Sequence, residues 1–158
     1  MSGFEIEIQM ETGLPLSADQ VRAHLTRAAT VTLQSENVAA PAALTLLLTS
    51  REQVHTMNRT FRHIDKPTDV LSFPADRNVP GMDVYLGDVA IAVPVAQAQA
   101  DAAGHGLLPE LTLLTVHGVL HLLGHDHLEP QGQQLMWAAQ DRILSRLGLD
   151  LRSPVYED

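Results

Sequence analysis

His117-Gly118-Val119-Leu120-His121-Leu122-Leu123-Gly124-His125-Asp126-His127 is the most specific stretch of the chain, closing a long apolar segment that begins at Leu107. Pro109 stands where the first turn of a helix tolerates it, and Gly124 supplies the stop, so the segment predicts one long helix. On that helix His117 and His121 are four residues apart and leave the same face, with Cβ atoms roughly 5–6 Å apart. Two imidazoles so placed can meet one ion at roughly 2.0–2.1 Å each. Gly124 is free to adopt positive φ, turning the chain so that His127 comes round as a third nitrogen ligand. Three neutral imidazoles leave one coordination position open, the arrangement of a catalytic centre. The spacing does not choose among zinc, nickel, iron and copper. Zinc peptidases of the His-Glu-x-x-His type carry their general base directly after the first ligand. Here that position is Gly118, which disfavours peptide hydrolysis by that route.

The rest of the chain supports one domain spanning 1–158. Its 45% hydrophobic and 18% charged residues are a globular composition, and 158 residues suffice for a core without covalent staples. The absence of cysteine excludes disulfides, cysteine nucleophiles and thiolate metal sites, so metal chemistry falls to the eight histidines. Phe4, Ile6 and Ile8 alternate with Glu5, Glu7 and Gln9 as in a strand with one buried face. Ser17 with Gln20 and Ser50 with Gln53 read as helix starts, the second helix running to about Phe61. Ala43–Leu48, Val70–Phe73 and Val84–Val93 read as further strands, with a loop at Asp76–Met82. A short alanine-rich helix precedes Pro109, and a last helix runs from Pro130 to about Leu147, with Leu135, Met136, Ile143, Leu144 and Leu147 as core positions. The expected fold is therefore α+β, a four-stranded mixed sheet packed with about five helices. The N-terminus lacks a basic region followed by an apolar stretch, and the apolar run at 107–123 is interrupted by Glu110, His117 and His121. A soluble cytoplasmic protein without membrane attachment is expected.

Charge is distributed unevenly. The chain has a net charge of −9, yet residues 51–77 hold Arg51, Arg59, Arg62, Lys66 and Arg77, half of its ten basic residues. A whole-surface nucleic-acid coat is excluded; one basic face on an acidic body is not. Of six aromatic residues, several fall in strands or helices and are expected in the core. That leaves no broad base-stacking platform, so any RNA recognition should lean on phosphates.

Three blocks carry a family resemblance. His117–His127, Asn58–Pro74 and Leu86-Gly87-Asp88-Val89 resemble, in order, the signatures of the YbeY family of bacterial rRNA-maturation endoribonucleases, over about residues 44–147. Tyrosine is commoner in that family where this chain has His125. The resemblance implies a metzincin-like zinc hydrolase core holding one divalent ion per chain, Zn2+ in the usual assignment. It also implies a single-strand-specific endoribonuclease acting in small-subunit rRNA 3′ end maturation and ribosome quality control, with ribosomal partners. His117, His121 and His127 match the metal ligands, and Arg62 matches a functionally important arginine that would hold the scissile phosphate. An Arg62 salt bridge to Asp65 or Asp69 is the plainer alternative. Asp126 reads as a helix-end or ligand-orienting hydrogen-bond partner, and His125 as an extra titrating imidazole or a space-filler. Asp88 reads as a support for the site or a partner of Arg62, and Ser72 as shaping the strand beside it. Two rival functions stay open: a metal-dependent peptide or ester hydrolase, and a non-enzymatic ribosome-associated metal-binding protein.

Overall fold

Both serine caps act where the sequence places them. In the computed structural model, which describes residues 3–76, 84–126 and 128–151, Ser17 Oγ accepts the Gln20 N–H at 3.4 Å and opens α1 (Ala18–Ser35). Ser50 Oγ accepts the Gln53 N–H at 3.1 Å and opens α2 (Arg51–Arg62). Each hydroxyl satisfies an N–H that the first helical turn leaves without a carbonyl. The remaining elements are strands β1 (Phe4–Met10), β2 (Ala42–Thr49), β3 (Val70–Pro74) and β4 (Tyr85–Ala92), with helices α3 (Val93–Ala103), α4 (Leu107–Leu122) and α5 (Pro130–Arg146). From residue 77 onward, the loop expected at Asp76–Met82 lies outside the described residues.

The strands form one mixed sheet in the order β1-β2-β4-β3, parallel except for β3, which runs antiparallel along the β4 edge. The expected α+β domain of four strands and five helices is what the described residues form. The sheet's two faces are unlike. Leu44, Leu46, Leu48, Val89 and Ile91 belong to the main core with α1 and α4. On the other face Leu71, Ala90 and Ala92 pack with Val54 of α2 in a smaller cluster. Parallel strands covered on both faces lose the alternating pattern, which is why β2 reads as a continuous apolar run.

At the centre lies α4, touching α1, α3, α5, β3 and β4. Thirteen of its 16 residues are buried, as expected for a helix apolar on nearly every side. Its close seat on the sheet requires Gly118: a Cβ there would lie 2.5 Å from Val89 Cγ1 and 3.3 Å from Ser72 Oγ.

Two expectations about the core are corrected. Leu135 is 68% exposed, because the buried stripe of α5 runs Met136, Ala139, Gln140, Ile143 and Leu144. Residue 135 lies about a third of a turn off that stripe. The aromatic residues also stay out of the deep core: Phe4, Phe73, Tyr85 and Trp137 are partly buried, and Phe61 is 66% exposed. Tyr156 lies outside the described residues. Ala28, Ala29, Ala96 and Ala100 bring α1 and α3 close to their neighbours, and aliphatic side chains fill the space between. No helix among the described residues is long and apolar enough to cross a membrane.

Candidate metal centre

One turn of α4 brings the two expected ligands together. The rings of His117 and His121 have centroids 4.8 Å apart and planes at 77°. His117 is fully buried; His121, nearer the helix end, is partly exposed. Helix α4 then stops in a paired-bond motif: the Gly124 N–H donates to His121 O and the His125 N–H to Leu120 O, both at 3.0 Å. Gly124 takes φ +100°, which a side chain would resist, and the helix ends there. His127, the expected third ligand, lies outside the described residues. Among the described residues no group of three His, Asp or Glu side chains is assembled for a metal. Two imidazoles one turn apart are nonetheless a donor pair that suits a nitrogen-preferring divalent ion.

The residues around this pair have definite jobs. Asp126 Oδ1 accepts the Leu128 N–H at 3.0 Å, a local turn bond in the loop after α4. His125 Nε2 bonds Glu36 Oε1 at 2.5 Å, and Arg142 Nη2 stands 3.8 Å from the other Glu36 oxygen. His125 thus ties the loop after α4 to the end of α1. Ser72 Oγ donates to Gly118 O at 2.8 Å, pinning α4 to β3.

Asp88 is not brought to the histidines. Its neighbour Val89 faces α4, so at a two-residue period Asp88 points to the opposite side of the sheet. There it faces a groove of about 620 Å³, whose walls include Glu7, Thr45, Phe61, Phe73 and Tyr85. Tyr85 donates its hydroxyl hydrogen to Asp88 Oδ1 at 2.5 Å, and its oxygen is 2.7 Å from Thr45 Oγ1. Asp88 therefore belongs to a polar network on the face of the sheet opposite α4.

Arg62 is the last residue of α2 and is exposed. Its neighbour Phe61 packs edge-on against Phe73, with centroids 5.7 Å apart. Leu122, at the end of α4, lies against Gly87, which pairs with Pro74. The end of α2 thus lies beside Phe73 of β3, and the end of α4 beside Gly87 of β4, the partner of Pro74. Asp65, one of the two carboxylates weighed as a partner for Arg62, receives His55 Nε2 at 2.7 Å. Asp69 is buried and accepts the Val70 N–H at 2.8 Å, shaping the start of β3.

The family model described as Endoribonuclease YbeY matches residues 5–148. The chain belongs to the YbeY family. The YbeY endoribonuclease of Chloroflexus aggregans is 39% identical over 153 residues, covering 92% of this chain and 97% of that protein. That of Roseiflexus castenholzii is 44% identical over 129 residues, covering 78% and 81%. In fold, the solution structure of TM1509 from Thermotoga maritima is similar, with a TM-score of 0.61, 22% identity, and coverage of 90% and 88%. The YbeY match starts at β1, well before the expected start near residue 44.

Two residues beside the histidines escaped the sequence reading. Gln140 Oε1 lies 3.0 Å from His117 Nδ1, with both side chains fully buried. A signal for it existed: Gln140 is the one polar residue in the buried stripe of α5. Glu36, the partner of His125, is 89 positions away and gave no local sign.

Tyr85 in this YbeY chain holds its proton unusually firmly. Burial, and then the hydrogen bond to Asp88, push its pKa from 10.0 up to about 12. The chain has two tyrosines, so a Tyr156→Phe variant isolates Tyr85. Its tyrosinate absorbance should be absent at pH 10 and develop near pH 12, and Asp88→Asn should lower the midpoint. The unfolded chain releases this proton near pH 10 while the fold keeps it. Stability is therefore fully present below 10 and declines as pH rises toward 12. A midpoint near 10 in protein still folded by circular dichroism would contradict the assignment.

Proposed function

We propose that this YbeY-family chain is a metal-dependent endoribonuclease that hydrolyses single-stranded RNA in rRNA processing, including small-subunit 3′ end maturation, and in ribosome quality control. The observation that carries the reading is the buried-to-exposed histidine pair on α4, with ring centroids 4.8 Å apart. His117, His121 and His127 would hold the ion, zinc in the expected case. A divalent ion there supplies Lewis-acid polarisation of a phosphoryl oxygen and acidifies water. The planar guanidinium of Arg62 binds the scissile phosphate and offsets charge developing on it. The exposed Arg51, Arg59 and Lys66 extend that positive face along the RNA backbone. Ribosomal partners and a cytoplasmic setting complete the reading.

Gly118 supports RNA over peptide as substrate. It faces the sheet with Val89 against it, so a glutamate base at this position has no room. Purified protein should contain about one divalent ion per chain. Chelation should stop cleavage of a single-stranded RNA, and readded metal should restore it, with casein left intact. Absence of RNase activity from the metal-loaded protein would overturn the reading. Arg62→Glu should keep the metal and lose roughly 10²–10³-fold in cleavage rate, the scale of losing one charge-stabilising donor. An unaltered rate in that variant would remove Arg62 from the site.

A further inference from the structure

We propose that Gln140 is the positioning residue of the metal centre: its amide oxygen holds His117 as the Nδ1–H tautomer, committing Nε2 to the ion. The consequence for metal binding rests on the metal-centre reading above; the tautomer itself does not.

Both side chains are fully buried, on helices α4 and α5, with Nδ1 and Oε1 3.0 Å apart. A carbonyl oxygen only accepts, so the hydrogen of this bond belongs to Nδ1, and the Nε2 lone pair stays available. Free histidine prefers the opposite tautomer, with the hydrogen on Nε2. In that form His117 would present a hydrogen, not a lone pair, to the ion. Ligation through Nδ1 is closed as well, because Gln140 already occupies that side of the ring.

The surroundings make the amide conspicuous. Its neighbours on the buried stripe of α5 are Met136, Ala139, Ile143 and Leu144. Burying an amide among them is unfavourable unless it is hydrogen-bonded, and an apolar side chain would carry no such cost. What the amide adds is direction. The second ring, His121, has its centroid 4.8 Å from the first, and the two can share one ion only if each offers it a lone pair. A partner bonded to the far nitrogen of a ligating imidazole fixes its tautomer and orientation, and losing such a partner typically costs 10–100-fold in metal affinity.

The test uses the full-length protein. In metal-free, 15N-labelled protein, long-range 1H–15N spectra should show His117 protonated at Nδ1 and pyridine-like at Nε2. Gln140→Leu should release that preference and weaken Zn2+ binding, measured by competition with a chromophoric chelator, by 10–100-fold. Gln140→Glu, which keeps an acceptor at the same place, should retain both the tautomer and the affinity. A packing role alone would lower the melting temperature of metal-free Gln140→Leu and leave tautomer and affinity unchanged; that result overturns the proposal. If Gln140→Leu does not fold, the native spectrum and Gln140→Glu decide: Nε2–H on His117 in the native protein, or lost affinity in Gln140→Glu with the tautomer intact, refutes it. Failure of the loaded protein to cut RNA would remove the proposed function and leave these spectroscopic and affinity results standing.

Discussion

His121→Ala is expected to lose both bound metal and RNA cleavage, the latter to background. The substitution removes one of the two imidazoles that α4 presents, leaving His117 with ring centroid 4.8 Å from where its partner stood. On the proposed reading, a three-nitrogen site reduced to two would hold its ion weakly and lose the acidity that the ion would give to water. His121 is the better position to test because it is partly exposed near the end of α4, and alanine favours the helix. Unfolding of the metal-free variant should therefore change by no more than about 1 kcal/mol. His117→Ala would confuse the result, since it empties a fully buried site and removes the partner of Gln140. Metal content, circular dichroism and RNase rate on one preparation make the check. Undiminished cleavage by metal-free His121→Ala protein would sink the metallonuclease reading.

Gly87→Ala should be the most destabilising small substitution in the sheet, by about 3 kcal/mol or more. Gly87 has φ +137°, a conformation that costs an L-residue about 1–2 kcal/mol. The added Cβ would lie 2.3 Å from Phe73 O, 3.0 Å from Ala75 N and 2.9 Å from Leu122 Cδ2. Phe73 O, in β3, and Ala75 N, just past its end, are backbone atoms that cannot swing aside, so overpacking adds about 1–3 kcal/mol. The register shift of β2 against β4 at Ala43/Leu44 lies in the same place, where Leu86 has no partner of its own on β2. Leu122 follows His121 by one residue, so pressure there also reaches the site. Urea unfolding should show the loss at an unchanged slope. A difference under about 1 kcal/mol would mean the backbone at Gly87 relaxes freely.

How much was legible depended on how far apart the partners lie in the chain. Ser17 and Ser50 announce their helices because the N–H groups they satisfy are three residues away. Phe4, Ile6 and Ile8 announce β1 because one face of that strand meets the core and the other meets water. The side chosen by Asp88 was hidden: β4 is buried on both faces around it, so no alternation marks which way residue 88 points. Leu135 was misplaced for a related reason, since adjacent leucine and methionine leave the exact edge of a helical stripe open until a neighbour packs against it.

The sequence by itself determined that a long apolar helix would carry His117 and His121 on one face, end at Gly124, and belong to an α+β domain. Those features rest on interactions between residues four or fewer positions apart, and on a pattern long enough to resemble a family. Only the tertiary structure decided what supports the pair. Gln140 reaches His117 across 23 positions, Ser72 holds Gly118 across 46, and Glu36 takes His125 across 89. Such contacts depend on which helix packs beside which and in what register, and no local pattern encodes that choice.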